Sequence, residues 1–88
     1  MHLKEGYVLR ELGEDAIVIG EGATVDFQRL VSLNSSAAYL WRSVEGREFT
    51  TDMLTDLLLE EYEVGREEAA SAAADIAAAW IRAGIAEE

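Results

Sequence analysis

The sequence predicts an α+β fold, with three strands in the first third of the chain and three helices after them. Three observations predict it. Short apolar, β-prone runs are separated by glycine-bearing turns up to Leu33. From Ser35 onward apolar residues recur at three- and four-residue steps, the spacing of one buried helix face. Between the two regimes, Leu30-Val31-Ser32-Leu33 runs into Asn34-Ser35 with almost no linker, so a strand feeds directly into a capped helix.

The first strand covers residues 3–12, with Tyr7, Leu9 and Glu11 on one side and Val8, Arg10 and Leu12 on the other. Gly13-Glu14-Asp15 is a turn. The second strand, residues 16–19, is continuously apolar, which suits either burial on both faces or a β-branched hairpin arm. Gly20-Glu21-Gly22 turns the chain again, and residues 25–33 form the third strand. Phe27, Arg29, Val31 and Leu33 share one of its faces, and Val31 and Leu33 are expected in the core. Strands this close in sequence pair as an antiparallel meander. The third strand is expected at an edge, and without proline and with little lysine nothing blunts that edge.

The first helix is expected over residues 35–44, with Ala37, Leu40, Trp41 and Val44 inward and Gly46 past its end. Arg47-Glu48-Phe49 reads as a loop. Thr50 or Thr51 caps a second helix that runs to about residue 62, with Asp52 in its first turn and Leu54, Leu57, Leu58 and Tyr62 inward. The third helix, residues 66–83, starts at Gly65, a weak cap. It carries two apolar stripes, Ala69-Ala73-Ile76-Trp80 and Ala70-Ala74-Ala77-Ile81. The first holds the bulky anchors and should face the core. The second can line a shallow groove, or it is alanine filling an uncommitted surface as the best helix former. Gly84 ends the helix, Ile85 folds back on it, and Glu87-Glu88 is a tail.

Composition narrows the function. The 88 residues suit one domain, and half of them are hydrophobic. No cysteine means no disulfide and no thiolate chemistry, and a cytoplasmic setting fits. No apolar run approaches the ~20 residues that span a bilayer, and Lys4-Glu5 near Met1 leaves no signal-peptide core. Seven basic against 18 acidic residues give a net charge of −11, which argues against nucleic acid and against an anionic membrane surface. It favours a partner with some basic character.

Little here points to catalysis. The sole histidine, His2, cannot make an ordinary zinc site without cysteine and reads as structural or idle. Glu60-Glu61-Tyr62-Glu63 and Glu67-Glu68 sit on solvated helix ends and match no calcium loop. The serines and threonines are caps, with no base placed to activate one. Tyr39, Trp41 and Trp80 read as core aromatics. Phe27, on an edge strand, can anchor a partner or cover the sheet.

Four pieces in order carry a resemblance: Gly6-Tyr7-Val8-Leu9-Arg10, the joint Leu30 to Trp41, Leu57-Leu58-Leu59-Glu60-Glu61-Tyr62-Glu63-Val64, and Ala83-Gly84-Ile85. Together they resemble the PqqD-like family, peptide-recognition domains of ribosomal-peptide modification pathways. The resemblance implies a winged-helix-like domain; from the residues themselves, no cofactor and no catalytic activity are expected. Such a domain captures the leader of a precursor peptide and presents it to a modifying enzyme, often a radical-SAM protein. It further implies that the leader adds as an antiparallel strand to the third strand and lies against the third helix. On this chain those positions are Asp26, Phe27, Gln28, Arg29, Leu30 and Val31, with Ala70, Ala74, Ala77 and Ile81 on the helix; Ala73 and Ile76 are the alternative stripe. Arg29 departs from the small residue common there and can cap the groove or pair with a leader carboxylate. The competing expectation is a small scaffold subunit that docks on an enzyme, or on its own copy, through the same edge. The chain is expected as a monomer or weak homodimer. A transcription factor is discounted on charge.

Overall fold

The computed structural model describes residues 1–13, 15–20 and 31–88. The element order is β1 (His2–Leu3), β2 (Tyr7–Leu12), β3 (Asp15–Gly20), β4 (Val31–Leu33), α1 (Ser35–Val44), α2 (Thr51–Glu61), α3 (Arg66–Ala83) and β5 (Ala86–Glu87). Strands β2, β3 and β4 form the expected antiparallel meander in that order, and three helices follow.

The expected first strand is two strands. The chain breaks at Gly6, whose φ of 88° is open to glycine and costly for other residues. On one side His2–Leu3 leaves to pair antiparallel with Ala86–Glu87, so the expected C-terminal tail is a strand. On the other side Tyr7–Leu12 joins the sheet. The second strand buries one face only: Ala16 and Val18 are buried and Ile17 and Ile19 are half-buried. The ladder explains this, because Leu9, Val18 and Val31 stand opposite one another under the helices while Arg10, Ile17 and Ser32 face away. Glu11 shares the helix-facing side and forms an ion pair with Arg42 of α1.

The helix ends follow from the caps. Asn34 accepts a bond from the Ala37 N–H at 2.9 Å and starts α1 where expected. Gly46, at φ 79°, closes it. Thr50, not Thr51, caps α2 through the Met53 N–H at 3.1 Å. Gly65 gives α3 no side-chain cap. At the far end Gly84 is left-handed; its N–H donates to Ile81 O and the Ile85 N–H to Trp80 O, both at 3.0 Å, which closes a Schellman turn.

The core is centred on Trp41, Trp80 and Phe49. The Trp80 ring meets the other two edge to face, with centroids 5.5 and 6.2 Å away. Phe49 lies in the expected loop yet is fully buried, and its N–H donates to Met1 O at 2.8 Å. Thr55 is also buried and satisfies its hydroxyl on Thr51 O. Leu33 and the inward residues of α1 are buried as expected; Val31 packs against the core while half-buried. Tyr62, expected inward, is about one-third exposed, at 36%. On α3 the buried row is Ala69, Ala73, Ala77 and Trp80, with Ile76 at its margin.

Candidate functional site

Of the ten residues expected to bind, Asp26, Phe27, Gln28, Arg29 and Leu30 lie outside the described residues, as do positions 25–30 of the expected third strand. Val31 opens β4 and pairs with Val18. Strand β4 is hydrogen-bonded to β3 on one side, and among the described residues no strand lies on its other side. Among the described residues the main-chain donors and acceptors on that side have no strand partner.

The chain continues from β4 through Asn34 into α1, and there a groove of 280 Å³ opens. Ser35 and Ser36 form one wall, Leu58 of α2 with Tyr62 and Val64 of the connector another, and Glu68, Ala69 and Ala72 of α3 the third. The start of α1 and the third helix therefore meet here, on the flank of α3 away from Ala70, Ala74 and Ile81. At 3.6 residues per turn, Ala72 and Ile76 flank the buried row on one side and Ala70, Ala74 and Ile81 on the other. Ala70, Ala74 and Ile81 are exposed; none of them lines the groove. Ala77 is 4% exposed, a core residue with almost no surface to offer. It repeats Ala73 after four residues and precedes Trp80 by three, so the two-stripe reading split one helical row.

The groove is apolar in its floor and acidic on its rim. Tyr62 and Val64 are 36% and 39% exposed, and with Ile81 they are the large apolar side chains most open to solvent among the described residues. Tyr62 is held in place nonetheless. Its N–H donates to Leu58 O at 2.9 Å, and its ring meets Tyr39 edge to face at 6.1 Å. Burial, and then the charge of Glu61, pushes the Tyr39 phenol above its ordinary range, so it stays a donor to Leu57 O at 3.1 Å. Arg66, the cation of this corner, pairs with Asp56 at 3.5 Å. Sequence reading placed Tyr62 in the core and passed over Val64 and Ala72. The available signal was a Tyr-x-Val pair between two acidic runs, in a connector with no buried helix to continue.

A larger, polar cavity of 480 Å³ lies at the other end of the molecule, beside β1 and β5. His2 bridges two carboxylates there, Nδ1 3.2 Å from Glu48 and Nε2 3.0 Å from Glu87, while the Met1 amine sits 3.1 Å from Glu48. These contacts tie the termini to the α1–α2 loop, a structural job. Among the described residues no group of three His, Cys, Asp or Glu is arranged to hold a metal ion, and no helix is long and apolar enough to cross a membrane.

Comparison with known proteins adds a fold and a family. The chain is similar to a solved structure described as TbiB1 in Complex with the TbiA(beta) Leader Peptide, with a TM-score of 0.73 over 97% of this chain and 93% of that one. Sequence identity is 15%, so the likeness is one of fold. No curated protein matches the chain. The model of the family described as Coenzyme PQQ synthesis protein D (PqqD) matches residues 9–86, nearly the whole length, and the chain belongs to that family.

Proposed function

We propose that this chain is a non-catalytic peptide-binding module that captures the leader of a ribosomally made precursor peptide. The leader adds as a strand to the free side of β4, lies across the groove against the first turns of α3, and is held there for a modifying enzyme. One observation carries the reading: β4, with no strand on its outer side among the described residues, is followed within two residues by the wall of an exposed apolar groove. That combination suits β-augmentation, in which backbone bonds supply affinity and side-chain pockets supply specificity. Membership of the PqqD family supports a peptide partner, and so does the fold shared with a structure of TbiB1 in complex with a leader peptide. Asp26, Phe27, Gln28, Arg29, Leu30 and Val31 are the strand positions proposed to meet the leader. On α3 the proposal moves from Ala70, Ala74 and Ile81 to Ala72, because it lines the groove and is exposed. A radical-SAM protein is the enzyme partner that the family resemblance suggests.

The test is an amide NMR titration of the labelled chain with the leader of a precursor encoded beside its gene. Shifts gathered in β4, the start of α1 and the first turns of α3 are expected. A folded, monomeric chain with no shifts at about 100 μM peptide, well above the affinities such interfaces reach, would overturn the reading for that leader. The same free edge also favours a second reading, edge-to-edge dimerisation. A gel-filtration mass of two chains that resists dilution would favour it, because a dimer through β4 occupies the leader site.

A further inference from the structure

We infer that the Met1 amine, His2 Nδ1 and the Glu48 carboxylate form a binding site for a divalent transition-metal ion of the zinc or copper kind, at the clasp of the two termini. The site lies at the other end of the molecule from the groove and does not rest on the leader-capture reading.

The donors are gathered on fixed backbone. Chain ends usually fray, but this one is tied down. The Met1 side chain packs against the core and is 9% exposed, and the Met1 carbonyl accepts the Phe49 N–H at 2.8 Å. His2 is held by its pairing with Glu87 across β1 and β5. The amine and the ring are therefore presented to one carboxylate: the amine lies 3.1 Å from Glu48 Oε2, and Nδ1 lies 3.2 Å from Glu48 Oε1.

The second ring nitrogen completes the argument. An ionised carboxylate only accepts, so Nε2, 3.0 Å from Glu87 Oε1, carries the N–H that donates there. A neutral imidazole then keeps a bare lone pair on Nδ1, facing Glu48. Two acceptors at that distance need a cation between them, and a second proton or a metal ion meets the need. A carboxylate on the far nitrogen is also the usual way in which a ligating histidine is oriented.

Spacing and donor type set the ion. Donors each about 2.1 Å from a tetrahedral ion stand about 3.4 Å from one another, close to the separations here. Two nitrogens and a carboxylate suit Zn²⁺ or Cu²⁺ and not Mg²⁺ or Ca²⁺, which take oxygen ligands. The cavity of 480 Å³ that His2, Glu48 and Glu87 help to line leaves room for a water as fourth ligand. Glu5 and Arg47 line it too, so three carboxylates face one guanidinium, and the net charge of −11 further favours a cation. His2 and Glu48 by themselves are too few ligands; the amine, once its ammonium gives up a proton, is the third.

The experiment is a calorimetric titration of the full-length chain with Zn²⁺, and with Mg²⁺ and Ca²⁺ as controls. The chain carries no tag, and mass spectrometry verifies Met1. One equivalent of Zn²⁺ should bind with release of protons, shift the His2 ring and β1 amide resonances, and raise Tm by a few degrees. The controls should not bind. Glu87→Gln leaves all three ligands in place and should weaken Zn²⁺ about 10–100-fold. Glu48→Gln, His2→Ala and a chain with two extra residues ahead of Met1 should each lose more than that. Glu5→Gln should change little, and circular dichroism checks that every variant folds. No heat and no shifts with Zn²⁺, or equal binding of Mg²⁺, overturns the proposal. So does binding that survives His2→Ala or the N-terminal extension, because it marks ions condensed on an acidic surface. A chain isolated from its source with Met1 blocked, or preceded by other residues, overturns it as well. Leader binding is read separately in the presence of a chelator, so none of these outcomes bears on leader capture.

Discussion

Trp41 shows how a single residue can carry both a gain and a cost. It is fully buried, its ring lies edge to face with Trp80, and its Nε1–H has no partner among the described residues. Burial of the ring stabilises, and the unsatisfied donor takes back about 1–3 kcal/mol. Trp41→Ala should therefore cost about 3–5 kcal/mol. Trp41→Phe removes the orphan donor along with some area and should cost under about 2 kcal/mol. Urea midpoints for both variants check this; equal losses would mean that the donor is satisfied. Glu48 is a surface counterpart. A hydrogen bond from the Met1 amine holds its carboxyl below the usual range, helped by that amine's charge and then by His2. A lowered carboxyl stabilises the fold above its unfolded-state value and loses that contribution as pH falls through the folded one. In a tag-free chain, Glu48→Gln should melt below wild type at neutral pH, and the gap should close as the solution is acidified below the ordinary carboxylate range. A gap that stays constant with pH would make the loss one of packing.

Local rules act most clearly at the helix ends. Asn34, Thr50, Gly46 and Gly84 each end or begin a helix where residue chemistry says it should happen, and α1 and α3 have the expected bounds. Gly65 is the weak member. Its φ of −73° and ψ of 156° suit any residue, a Cβ there meets nothing within 4 Å, and it offers α3 no cap bond. Gly65→Ser should thus stabilise by about 0.5–1 kcal/mol, through a new cap and a less flexible unfolded chain. Thermal melts read this as a rise of a few degrees in Tm for a domain of this size; an unchanged Tm would show that α3 gains nothing from a capped start. The same connector holds Tyr62 and Val64, so amide exchange in the first turn of α3 should slow along with it. Hydrophobic periodicity was less reliable than capping: it placed Ala77 in an exposed stripe, although one more turn of the helix returns it to the buried row.

At the scale of the molecule, the two termini clasp. Strands β1 and β5 pair outside the main sheet, the Lys4 N–H donates to Ile85 O at 3.0 Å, and Ile85 and Ala86 are buried beneath. Deleting residues 1–3 should expose that apolar floor and unzip β5. Loss of amide protection at Ala86 and a lower Tm are the expected results, and an unchanged Tm would show that the clasp adds nothing. The net charge of −11 acts on the whole surface at once. Self-repulsion opposes the compact state, and at 0.5 M salt the screening length shrinks to a few ångströms. Tm should rise with sodium chloride from about 10 mM to 0.5 M. A fall would mean that the ion pairs of His2, Glu11 and Arg66 outweigh the repulsion.

The sequence by itself determined the fold class, the order of the meander, the helix bounds and the aromatic core, because each rests on neighbours in the chain. Caps act over three residues, strand alternation over two, and turns over four. The family resemblance was legible for the same reason, in motifs that each sit within one element. Tertiary structure alone decided what depends on residues far apart. The β1–β5 pairing joins His2 to Glu87, Phe49 is buried by Met1 and Trp80, and His2 is fixed between carboxylates from two distant segments. The groove belongs to this second class. Ser35, Tyr62 and Ala72 come together only when α1, α2 and α3 pack, and which flank of α3 lines the groove is set by the rotation of that helix against its neighbours. An alanine-rich helix offers nearly equivalent apolar flanks, so its sequence says little about that rotation. Packing of Trp80 against Trp41 and Phe49 fixes it.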